Sequence, residues 1–111
     1  MTKMKTSTNT FEKDVLSSEL PVLVDFFAPW CGPCQMLGPV LEEVAKRYEG
    51  RAKVLKVDIE ESPELAERFG INAVPTLILF NQGKPVQQVM GMQSARQLAS
   101  LLDATASPVT A

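Results

Sequence analysis

A nearly continuous apolar run, Val22-Leu23-Val24-Asp25-Phe26-Phe27-Ala28, leads almost directly into a Cys31-Gly32-Pro33-Cys34 pair. β-branched and aromatic residues in an unbroken run suit a strand covered on both faces, as in the middle of a parallel sheet. Past the pair, Met36, Leu37, Val40, Leu41, Val44, Ala45 and Tyr48 recur at spacings of three and four, and Glu42, Glu43, Lys46, Arg47 and Glu49 take the opposite side. That pattern predicts a helix with one buried stripe, ended by Gly50. Pro39 lies inside it, lacks an N–H for the ladder and is expected to kink it. The strand therefore delivers two thiols to a strand-to-helix corner.

The remaining elements follow in alternation. Thr10 is placed to cap a short helix through Leu16, with an edge strand before it and Pro21 as its stop. Lys53 to Ile59 reads as a second strand, and Ser62 and Pro63 as the cap and first residue of a short helix ending near Phe69 and Gly70. Thr76 to Phe80 and Val86 to Met90 read as a hairpin around Asn81-Gln82-Gly83-Lys84-Pro85. Ser94 with Gln97 forms a capping box for a last helix carrying Leu98, Leu101 and Leu102. The sum is an α/β fold: a central mixed sheet of about five strands flanked by about four helices. One domain is expected over 1–111, with an ordered core over about 4–103 and a frayed tail over 104–111.

Composition removes several classes of function. Eleven Lys plus Arg against thirteen Asp plus Glu, scattered singly or in pairs, leave no basic stripe to neutralise a row of phosphates, so nucleic acid is not an expected partner. No segment has about eighteen apolar residues in a row and the amino end shows no leader pattern, so a cytoplasmic protein with no membrane partner is expected. In a reducing compartment a lone C-x-x-C is more often catalytic or metal-binding than a structural staple. Two thiols three residues apart at a helix start lie about 5 to 6 Å apart, within reach of a disulfide. The competing reading is half of a zinc or iron-sulfur site. It needs four ligands, and the chain has no His and no further Cys, so only a bridging dimer would serve.

Val24-Asp25-Phe26-Phe27-Ala28-Pro29-Trp30-Cys31-Gly32-Pro33-Cys34, then Val74-Pro75-Thr76, then Gly91, resemble the thioredoxin family, bacterial-type members above all, over almost the whole chain. The resemblance implies the thioredoxin fold and a thiol-disulfide oxidoreductase that reduces protein disulfides through Cys31 and Cys34. It further implies a role in cell redox homeostasis and as electron donor to reductive enzymes. No cofactor is expected to be bound; a separate thioredoxin reductase would return the electrons to what is expected to be a monomer. Cys31, at the corner where free N–H groups and the helix dipole favour a thiolate, is expected to attack. Cys34, one turn inside, is expected to resolve the mixed disulfide. A Gly32-Pro33 pair accompanies reducing members of the family. An oxidase or isomerase is the first alternative, opposed by that pair, and a redox-silent binding module the second, opposed by retention of both thiols and Asp25.

Asp25 is the lone charge in the apolar run, and a desolvated carboxylic acid is pushed toward a neutral pKa. The resemblance makes it the proton acceptor for Cys34. The other reading is a structural pair with Lys56, mid-strand among Val54, Leu55 and Val57. For Pro75 the general rule favours a trans bond; the resemblance implies a cis bond opposite the thiols, exposing Val74 to an extended substrate segment. With Trp30, Ala73, Val74, Gly91 and Met92, Pro75 would line a shallow apolar substrate groove, although Gly91 equally serves to end a strand. Three positions depart from common family usage: Phe27, Gln35 after the second cysteine in place of a cation, and Met92.

Overall fold

The run beginning at Val22 forms strand β1 (Val22–Phe27), and every residue in it except Phe27 is buried. This computed structural model describes residues 4–106. β1 pairs in parallel with β2 (Lys53–Asp58) and antiparallel with β3 (Thr76–Asn81), which pairs with β4 (Lys84–Met90), giving the order β2-β1-β3-β4. Helices α1 (Gly32–Arg47), α2 (Pro63–Arg68) and α3 (Ala95–Ala106) follow a short π-helical segment at Glu12–Leu16. A mixed sheet flanked by helices is therefore the architecture, as the alternation of elements predicts.

Period-two alternation along β1 divides the core. Leu23 faces Leu37, Leu41 and Val44 of α1 together with Leu98 and Leu102 of α3. Val22, Val24 and Phe26 face the other way, into a cluster with Phe11, Leu65 and Phe80. Phe11, Phe26, Phe69 and Phe80 stack there with ring centroids 5.2 to 6.0 Å apart, mixing edge-on and tilted contacts. Asp25 shares the parity of Leu23, so its carboxyl enters the layer beneath α1.

The sequence expectation of about five strands becomes four. Among the described residues the first strand contracts to one bridge between Lys5 and Lys56, where Met4 O accepts from Lys56 N and Lys56 O from Thr6 N. Beyond it the Thr6–Thr10 stretch spends its polar groups elsewhere: Thr6 Oγ1 reaches Asp14 Oδ2 at 2.9 Å and Thr8 N reaches Ser62 Oγ at 3.2 Å. Local side-chain bonding of this kind competes with a ladder. Thr10 is consequently not a cap. Its hydroxyl accepts from Ser7 N and meets Thr6 Oγ1, while Phe11 holds the cap position without a side-chain bond.

Other boundaries move by a few residues. α1 stops at Arg47 with Tyr48 as its C-cap, and Gly50, at φ +85°, lies in the turn beyond. Pro39 is accommodated inside α1. β4 begins at Lys84, and a bulge between Leu79 and Phe80 lets Pro85 enter opposite Phe80, which an edge strand tolerates. The Ser94–Gln97 capping box forms in both directions, at 2.8 and 3.1 Å. α3 continues through Ala106, past the expected fraying at Ala104; the remainder of that tail lies outside the described residues.

Candidate redox site

β1 ends at Phe27, and the chain turns through Ala28-Pro29-Trp30 so that Cys31 becomes the N-cap of α1. Cys31 has extended backbone angles (φ −87°, ψ 115°), its N–H donates to Ala28 O at 3.2 Å, and Pro33 supplies a residue without an N–H in the first turn. Proline fits there because early N–H groups of a helix have no intrahelical partner. Cys34 N–H donates to Cys31 Sγ at 3.2 Å. The sulfur therefore takes the place of the usual Ser or Asp oxygen at an N-cap, and the same bond would stabilise a thiolate.

Cys31 and Cys34 are joined in a disulfide with Cα atoms 5.2 Å apart. Both are buried, Cys31 at 5% and Cys34 at 2% exposure, against Ala28, Phe27, Ile59 and Val74. Gly32 and Pro33 between them are exposed.

Asp25 is fully buried, and neither carboxylate oxygen has a hydrogen-bond partner in the protein. Burial raises its pKa from the ordinary 3.8 to about 7, against an opposing pull from Lys56. Lys56 is Asp25's cross-strand neighbour in the β1–β2 register. Its ammonium instead sits over the Phe27 ring, 4.6 Å from the centroid, and the two charges form no ion pair. An acid that is buried, unpaired and near neutral pKa has the properties of a proton carrier.

The Val74–Pro75 peptide is cis. Val74 O lies 3.8 Å from Cys31 Sγ, and Gly91 N donates to Pro75 O at 2.8 Å, so the strand ends of β3 and β4 meet beside the disulfide. Gly91 has φ +84°, a conformation that favours glycine. Ala73 and Met92 are exposed, Val74 is half-buried, and Trp30 is 68% exposed despite being the largest apolar side chain in the molecule. Cys31, Val74 and Pro75 are thus in one place, with Gly91 tied to Pro75 and Met92 next in chain.

Three polar contacts escaped sequence reasoning. The Trp30 indole N–H donates to Glu60 Oε2, Gln35 Nε2 donates to Pro29 O at 3.0 Å, and Thr76 Oγ1 donates to Ala73 O at 2.6 Å. Gln35, the departure from a cation, fastens the loop in front of Cys31. Glu60 carries no sequence signal that separates it from Glu61 beside it.

A disulfide capping a long helix beside two strand ends, with an unpartnered buried acid in the strand that leads into it, defines a protein of dithiol–disulfide exchange. The family model described as Thioredoxin matches residues 2–104. The chain is 50% identical over 94 residues to the thioredoxin of Synechocystis sp., an alignment covering 85% of this chain and 88% of that protein. It is 47% identical over 95 residues to thioredoxin 1 of Nostoc sp., covering 86% and 89%, and 47% identical over 95 residues to the thioredoxin of Pseudomonas aeruginosa, covering 86% and 88%. The chain belongs to the thioredoxin family and is a thiol-disulfide oxidoreductase whose redox pair is Cys31 and Cys34. The family works without a bound cofactor. Among the described residues no group of three or more His, Cys, Asp or Glu is arranged to hold a metal ion, and no helix is long and apolar enough to cross a membrane.

Proposed function

We propose that this chain is a monomeric cytoplasmic reductant of protein disulfides, recharged by a separate thioredoxin reductase and engaging neither nucleic acid nor membrane. In the dithiol form the Cys31 thiolate attacks one sulfur of a substrate disulfide, and the other substrate sulfur leaves as a thiolate. Cys34 then attacks Cys31 Sγ, closing the intramolecular disulfide and releasing the second substrate thiol. Two electrons pass to the substrate, and the protein ends in the disulfide state. The observation that carries this reading is the Cys34 N–H bond to Cys31 Sγ at a helix N-terminus, which favours the anionic sulfur at Cys31 and leaves Cys34 as the resolving thiol. Asp25 takes the Cys34 proton as that second attack proceeds, its burial keeping it basic enough to do so near neutral pH.

Substrate docks as an extended segment along Ala73, Val74 and Pro75, with Trp30, Gly91 and Met92 as apolar walls. Gly32 and Pro33 keep the approach to Cys31 low, and the positive charge of Lys56 limits how far burial raises the pKa of Asp25. The test is trapping. Cys34→Ser is expected to accumulate a mixed disulfide between Cys31 and a disulfide-bonded protein, whereas Cys31→Ser is expected to accumulate none. A trapped adduct through Cys34 in the Cys31→Ser chain, at equal yield, would overturn the assignment of roles.

A further inference from the structure

Trp30 presents a contradiction. A side chain 68% exposed has little packing to fix its rotamer, yet its indole is held at its one polar atom by Glu60 Oε2. Glu60 is itself well anchored. Its N–H donates to Asp58 Oδ1 at 2.9 Å, and Asp58 is a buried residue at the end of β2. One residue earlier, Ile59 N–H donates to Phe27 O at 2.9 Å, and the Ile59 side chain packs against the apolar cluster that contains both cysteines. The loop after β2 is therefore clamped to the end of β1, and the carboxylate reaches Trp30 from a rigid base.

We infer that Glu60 is a positioning residue for disulfide exchange: it holds the Trp30 indole as a preformed wall of the docking surface, clear of the Cys31 sulfur. This deepens the reductase reading and rests on it. A charge-assisted hydrogen bond has directional preference and roughly twice the strength of a neutral one, and it leaves the faces of the indole free for a partner. Without it, the exposed ring samples other rotamers, and a protein substrate must order it on docking. Ordering one rotamer-rich side chain corresponds to about a two- to tenfold loss of affinity. A small disulfide that reaches Cys31 without touching the indole avoids that loss.

The test compares wild type, Glu60→Ala and Glu60→Gln. Trp30 is the chain's single tryptophan, so time-resolved fluorescence anisotropy reports its motion alone. Glu60→Ala is expected to show faster indole motion and about a two- to tenfold higher KM for a disulfide-bonded protein such as insulin, with kcat retained and the rate toward a small aryl disulfide unchanged. Glu60→Gln keeps an acceptor oxygen and is expected to fall between Ala and wild type. Unchanged indole motion in Glu60→Ala overturns the inference, and so does a KM that rises equally for both disulfides, since that is what a general structural defect produces. Failure of the wild type to reduce either disulfide would overturn the reductase reading, while the anisotropy comparison would still decide the role of Glu60.

Discussion

Asp25→Ala is expected to change stability in a pH-dependent way, because the acid is buried without a partner. Its pKa lies at about 7 in the fold against 3.8 ordinarily. Below the lower value the carboxyl is protonated in both native and unfolded chains and contributes no electrostatic penalty. Between the two values the unfolded chain ionises while the native chain stays protonated, so native stability falls as pH rises. Above about 7 both forms are ionised and the penalty is constant. A gap of about three pH units at 1.36 kcal/mol each sets that penalty at about 4 kcal/mol.

Removing the carboxyl also leaves a small void, which costs about 1 to 2 kcal/mol at every pH. Oxidised wild type and Asp25→Ala should therefore differ by less than about 1 kcal/mol at pH 4.5, and the variant should be more stable by about 2 to 3 kcal/mol at pH 8.5. Urea unfolding of both proteins across that range measures the difference, in which the contributions of other carboxylates cancel. A stability difference that is flat with pH would refute the reasoning. The same variant is expected to reduce protein disulfides more slowly across neutral pH. Full wild-type turnover there would remove the proton role of Asp25.

Other expectations concern the frame around the site. Gly83 sits at φ +81°, and a Cβ there would lie 2.9 Å from Leu16 O, so Gly83→Ala is expected to cost about 1 to 3 kcal/mol in urea unfolding; a neutral result would refute the close approach. The Tyr48 hydroxyl donates to Asp103 Oδ1 and lies 3.2 Å from Ala99 O, tying the end of α1 to α3. Tyr48→Phe is expected to lower stability by about 1 to 3 kcal/mol while leaving the reduction potential unchanged, as checked by parallel urea and redox titrations.

What the sequence made legible was local. The apolar run into C-x-x-C, the Ser94–Gln97 box and a hairpin turn within Asn81–Pro85 each depend on residues a few positions apart, and all three are present, the turn narrowed to Gln82 and Gly83. Asp25 stood out because one charge in an unbroken apolar run has few ways to avoid burial. The shortened first strand did not, because it depends on Thr6 reaching Asp14 and Thr8 reaching Ser62. Lys56 pairs with Asp25 in register, as its place in β2 suggested, but the choice between the carboxylate and the Phe27 ring is made by side-chain placement that no spacing encodes. Glu60 meets Trp30 thirty residues away only because the loop after β2 is bound to the end of β1.

The central claim is that Cys31 and Cys34 form a reducing pair, and an equilibrium redox titration in dithiol buffers, read through Trp30 fluorescence, tests it most directly. The account predicts one two-electron transition at a potential below the cytosolic glutathione poise of about −220 to −260 mV. A transition at a clearly more oxidising potential would make the chain an oxidase or isomerase, and the absence of any transition would make it a binding module; either result contradicts the account.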